Sequence, residues 1–168
     1  MSKPILARDI PPYVQQDSPR SCWAAAMESW TSIVPKKTYR TQNELFLMAA
    51  ESGLVWDPVT LEMNGLLKKG IPVMAKKVGM KLAIFPASKK KQVTLTYLYN
   101  KLKNNGHVYL VYHGGGSDEG LAHAVVVYAV SLELGWLGVM DPWYGQGFQW
   151  PYLSDLQESS NYFIVGYP

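Results

Sequence analysis

Apolar residues recur at helical steps in the first half of the chain and gather into strand-like runs in the second. Trp23, Met27, Trp30 and Val34 follow one another at intervals of four, three and four, which places them on one face of a helix over residues 22–34. That face is expected to be core. Asp17 and Ser18 precede Pro19, and Ser21 stands before Cys22, so cap-type side chains and a turn-forming proline mark the helix entrance, with Pro35 as its stop. A second helix is predicted over residues 42–51, capped by Thr41, followed by Gly53, and burying Leu45, Met48 and Ala49. A third covers residues 59–69 and ends at Gly70. From Ile71 the pattern shortens, and residues 72–75 and 80–85 read as extended pieces broken by Gly79 and Pro86. Residues 88–92 read as a lysine-rich surface loop. Leu95, Leu98, Tyr99 and Leu102 then mark a helix that stops near Gly106. Beyond it, residues 107–113, 122–130, 136–140 and 162–165 are rich in Val and Tyr and read as strands. Runs of helix followed by runs of strand predict an α+β domain with an antiparallel sheet.

Composition narrows the function classes. With 168 residues, 48% hydrophobic and 17% charged, the chain suits one globular domain over residues 1–168. A net charge of +3, scattered over Lys68 and Lys69, Lys76 and Lys77, and Lys89, Lys90 and Lys91, lacks the basic stripe of a nucleic-acid binder. Nor is membrane insertion expected. The longest apolar run, residues 122–130, is interrupted by His123 and falls far short of the roughly 20 residues that cross a bilayer. The opening "MSKPILARDIPPYVQQ" does not resemble a secretory signal, so synthesis in the cytoplasm is expected, with any delivery into a target cell by a leaderless route. The stretch "GGGSDEG" lacks the Lys-Ser/Thr pair of a phosphate loop and reads as a mobile connection beside a functional site.

One cysteine excludes an internal disulfide, and no spacing suits a zinc site. Cys22 is therefore either packing or a reagent. A thiol attacks carbonyls as the thiolate, which a helix N-terminus and a neighbouring imidazolium both favour. Cys22 has the predicted helix entrance. Of the three histidines, His123 stands at the mouth of the strand "AHAVVVYAV", while His107 and His113 lie at the ends of another. A catalytic imidazole also needs an acceptor that fixes its tautomer. If residues 122–130 and 136–140 form a hairpin, its register brings residues 141–143 opposite His123 and sets Asp141 beside the ring. An oxyanion also needs donors, each worth about 3–4 kcal/mol. Gln16, six positions before Cys22, offers amide N–H groups, and the Cys22 backbone N–H offers another; Gln15 replaces Gln16 if the turn is one residue longer.

Gln16, then "CWAAAM" from Cys22, "AHAVVVYAV" and "MDPW" together resemble the papain-like cysteine peptidases. The likeness is to their small bacterial branch, including C39-type leader peptidases and avirulence-effector proteases, and spans residues 16–143. It implies a papain-like fold, an N-terminal helical half carrying the cysteine packed on a C-terminal antiparallel sheet carrying His and Asp. By the resemblance Cys22 is the nucleophile, His123 the base and acid, Asp141 the orienter and Gln16 the oxyanion-hole donor. Asp141 stands where plant-type papains have asparagine. The implied activity is endopeptidase cleavage of a protein or peptide through an acyl-enzyme, after Gly-Gly as in the C39 type, without metal or nucleotide cofactor. A bacterial effector or toxin role, with an immunity protein or host activator as partner, is the accompanying expectation. The alternatives are a deamidase, acyltransferase or cell-wall amidase using the same groups, or a non-catalytic peptide-binding module. The aromatic segment "PWYGQGFQW", residues 142–150, reads as a packed loop and stays off the site, the alternative being that it lines a substrate cleft next to Asp141.

Overall fold

A strand that is apolar at nearly every position needs cover on both faces, and Ala122–Ser131 receives it. In the computed structural model, which describes residues 5–54, 70–113 and 122–168, this strand, β4, lies inside a seven-stranded sheet. The others are β1 (Ile5–Ala7), β2 (Lys81–Phe85), β3 (Val108–His113), β5 (Leu137–Asp141), β6 (Gly147–Gln149) and β7 (Phe163–Tyr167). Their order is β2-β7-β3-β4-β5-β6, with β1 added to the end of β4, and every pairing is antiparallel. Alternate residues of β4 serve two cores. Ala124 and Val126 join one with Trp23, Met27 and Trp30. Val125 and Val127 join the other with Leu98, Leu102, Leu153 and Leu156. The expected α+β class is observed.

The first core belongs to α1 (Cys22–Ile33), whose Trp23, Met27 and Trp30 are fully buried. Ala24, Ala25 and Ala26 are also fully buried, and such small side chains let the helix approach the sheet closely. Buried rings with a polar edge usually find a partner for it, although the Trp23 Nε1–H has none among the described residues. Trp30 Nε1–H donates to the His107 carbonyl at 2.9 Å, and the Tyr109 hydroxyl donates to the Trp23 carbonyl at 3.2 Å, so the helix is tied to β3. α2 (Gln42–Glu51) opens with a capping box, in which the Thr41 hydroxyl accepts from the Glu44 N–H while Glu44 accepts from the Thr41 N–H. On the opposite face lie α4 (Leu95–Asn105) and α5 (Leu153–Ser159).

Two expectations are corrected. Residues 72–75 are not extended but part of helix α3 (Ile71–Lys77). Proline is tolerated in a helix's first turn, where its missing N–H costs nothing; Ile71, Met74, Ala75 and Val78 then bury a helical stripe. The lysine loop is a 3-10 helix, Ala87–Gln92. Strands β1 and β6 and helix α5 had no counterpart in the sequence reading. The helix expected at residues 59–69 and the glycine stretch 114–120 lie outside the described residues. No described helix is long and apolar enough to cross a membrane.

Candidate active site

The entrance to α1 is built by a tight turn. The Ser21 N–H donates to the Ser18 carbonyl at 3.1 Å, and the Ser21 hydroxyl bonds both the N–H and the carbonyl of Ser18. That hydroxyl makes no cap bond to the helix. The first-turn amides, at the positive end of the helix dipole, are thus not capped by Ser21. Cys22 begins the helix only 3% exposed. Its sulfur lies 3.7 Å from the Ala122 carbonyl and interacts electrostatically with the side chain of His123, the next residue of β4.

β4 and β5 pair with Val126 opposite Met140. Side chains alternate along strands, so Asp141 shares a face with His123 and stands diagonal to it. His123 Nε2–H donates to Asp141 Oδ1 at 2.8 Å. The Trp143 backbone N–H donates to the same oxygen at 2.9 Å, which fixes the carboxylate. Two rings flank the imidazole edge-on, Tyr112 with centroids 5.6 Å away and Trp143 at 6.4 Å.

These groups set the charge of His123. Burial pulls its pKa down, but hydrogen bonds to Asp141 and Cys22 and the attraction of both charges outweigh burial, raising it from 6.5 to about 10. The ring is therefore held as an imidazolium through neutral pH. An imidazolium beside a sulfur is the environment in which a thiol becomes a nucleophile.

Cys22, His123 and Asp141 line one cleft of about 350 Å³, with Pro19, Ala122, Trp143 and Gln146. Gln16 is not among its walls. It is buried, while Gln15 is exposed, and its Nε2–H donates to the Ser18 carbonyl at 2.7 Å. Its Oε1 is buried without a hydrogen-bond partner, and its backbone N–H donates to the Pro142 carbonyl at 2.9 Å, joining the α1 entrance to the end of β5. An amide nitrogen carries two hydrogens, so Ser18 takes one. Trp143 and Gln146 line the cleft, the alternative for their segment rather than the packed-loop reading that kept it off the site. The signal was the position of the segment next to Asp141, outweighed by the look of a packed aromatic loop. Part of that loop is packed, since Trp150 stacks edge-on against Tyr128 and Trp136.

Residues 4–153 match the model of a family described as papain-like cysteine protease AvrRpt2. Among solved structures, the peptidase domain of Streptococcus ComA, described as a bi-functional ABC transporter involved in quorum sensing, aligns with a TM-score of 0.61 at 20% identity. The alignment covers 94% of this chain and 99% of that one. A double glycine motif protease from an AMS/PCAT transporter, in complex with its leader peptide, aligns with a TM-score of 0.54 at 15% identity, covering 96% and 94%. UfSP from C. elegans gives a TM-score of 0.61 at 15% identity over 98% of this chain and 34% of its own. At such identities the likeness is one of fold. No curated protein matches the chain.

Proposed function

The chain belongs to the family of papain-like cysteine proteases described by AvrRpt2, and from that premise we propose that Cys22, His123, Asp141 and Gln16 are the machinery with which it cleaves proteins or peptides. The observation that carries this reading is the placement of His123 between a sulfur and a carboxylate at the wall of one cleft. With Nε2 committed to Asp141, Nδ1 is the ring nitrogen left for the sulfur. In the imidazolium form the proton that would sit on the sulfur resides on Nδ1, and the thiolate adds to the substrate carbonyl carbon. The oxyanion is held by the Cys22 N–H and by the second N–H of Gln16 Nε2, the one not donated to Ser18. The imidazolium then protonates the leaving nitrogen as the C–N bond breaks, giving an acyl-cysteine and a free amine. Water, deprotonated by His123, adds to the thioester and releases the acid and the thiol. Asp141 keeps the imidazolium paired throughout.

Residues 1–168 act in this reading as one catalytic domain. Pro19, Ala122 and the bulky Trp143, which line the cleft together with Cys22, favour a small residue on the acyl side, in keeping with cleavage after Gly-Gly. Efficient cleavage after a large side chain would argue against that preference. The family likeness also supports a bacterial effector or toxin role, in which an immunity protein or host activator is the regulating partner.

The test compares the purified protein with its Cys22→Ala variant on a proteome-derived peptide library read by mass spectrometry. New termini made only by the wild type are expected. A mass gain of about one unit at glutamine without new termini would mean deamidation, and identical spectra from both proteins would overturn the reading.

A further inference from the structure

An imidazole can rotate about its Cβ–Cγ bond, where the torsional wells are broad and roughly two-fold, and half a turn puts ring carbons where its two nitrogens had been. The single bond from Nε2 to Asp141 leaves the ring free to tilt about that contact, so the walls on either side of it decide how well Nδ1 stays on the sulfur. Trp143 supplies one wall, but the residue is 42% exposed. The other wall is of a different kind. Tyr112 on β3 is the direct cross-strand partner of His123 on β4, and on its other side it pairs with Phe163 of β7. Its ring packs against the core shared by Val125, Leu110 and Phe163 and meets the imidazole at a centroid distance of 5.6 Å and an interplanar angle of 78°. Three paired strands thus hold the ring in place, and this edge-to-face arrangement is one that aromatic quadrupoles favour.

We propose that Tyr112 is a positioning residue of the peptidase, its ring fixing the imidazole of His123 so that one nitrogen stays on Asp141 while the other faces Cys22. The inference rests on the Cys-His reading above and adds the residue that holds the imidazole in register. Burial, and then the charges of Asp141 and Cys22, raise the Tyr112 pKa above the usual tyrosine range, so the phenol stays neutral and acts through its ring.

The experiment measures alkylation of Cys22 by iodoacetamide at pH 7 together with the NMR titration and tautomer of His123, in wild type and in Tyr112→Phe, Tyr112→Leu and His123→Ala. Tyr112→Phe keeps the ring and is expected to alkylate within about twofold of wild type. Tyr112→Leu is expected to slow alkylation roughly two- to tenfold, the change in population that loss of one aromatic pair produces, and to shift the His123 titration. Tyr112→Met serves the same comparison should the leucine variant fail to fold. A folded leucine or methionine variant with unchanged alkylation and unchanged His123 titration would reduce Tyr112 to filling the core and overturn the inference. A slow Tyr112→Phe variant would do so as well, by assigning the effect to the hydroxyl. If His123→Ala alkylates as fast as wild type, it is the Cys-His reading itself that fails.

Discussion

Replacing Asp141 by asparagine or alanine separates the charge at His123 from the hydrogen bond. One oxygen, Asp141 Oδ1, accepts from His123 Nε2–H at 2.8 Å and from the Trp143 N–H at 2.9 Å. Asparagine retains an oxygen for both donors and loses only the charge; alanine loses both. A hydrogen bond to a charged group is worth about 1.5–3 kcal/mol net, and one pKa unit corresponds to about 1.4 kcal/mol. Asp141→Ala is therefore expected to lower the His123 pKa from about 10 by roughly one to two units, with Asp141→Asn between it and wild type. NMR titration of the His123 ring protons measures this. The same shift fixes the sign of the effect on stability. Folded His123 holds its proton more tightly than the unfolded chain, so its contribution is complete below about pH 6.5 and drains away as pH rises through about 10. Asp141→Ala should then destabilise the fold more at pH 6 than at pH 10 in urea titrations. An unchanged His123 titration in the alanine variant, or a destabilisation that grows with pH, would refute the reasoning.

Three further outcomes follow from individual contacts. Gln16→Ala should lower kcat on any cleaved peptide by about 100- to 1000-fold, as removal of an oxyanion donor does, and a kcat within twofold of wild type would remove Gln16 from the oxyanion hole. Gly138→Ala should destabilise by about 1–3 kcal/mol through overpacking, because a Cβ there would come within 2.5 Å of the Trp150 ring and 2.9 Å of the Ala129 methyl; chemical denaturation reads it. Thr41→Ala, which removes half of a capping box, should cost about 1 kcal/mol and shift the same denaturation midpoint.

Sequence periodicity disclosed those elements whose burial is dictated by a single neighbour. Trp23, Met27 and Trp30 announced α1 because one helix face meets one sheet, whereas the apolar run of β4 announced a strand but not that it is covered on both faces. α3 was obscured by Pro72, which disguised the helical spacing of Ile71, Met74, Ala75 and Val78. β1 and β6, three residues each, are too short for any period to show. The neighbourhood of His123 and Asp141 was legible as a hairpin, although a register shift between Val127 and Ala129 sets Asp141 diagonal to the ring. The orientation of Gln16 was not legible. It depends on the turn that the Ser21 hydroxyl closes on Ser18, a set of side-chain bonds that spacing does not specify. Trp143 and Gln146 reach the cleft through a chain bend after β5 rather than through a repeating pattern, so their composition alone suggested packing.

The physical centre of the account is a sulfur made reactive by the imidazole beside it. Its most direct measurement is the rate of Cys22 alkylation at pH 7 in wild type and in His123→Ala, with folding of both checked by circular dichroism. A neighbouring base contributes about a hundredfold or more to such chemistry, so the account predicts a fall of at least about tenfold in the variant. Equal rates in the two folded proteins would contradict it.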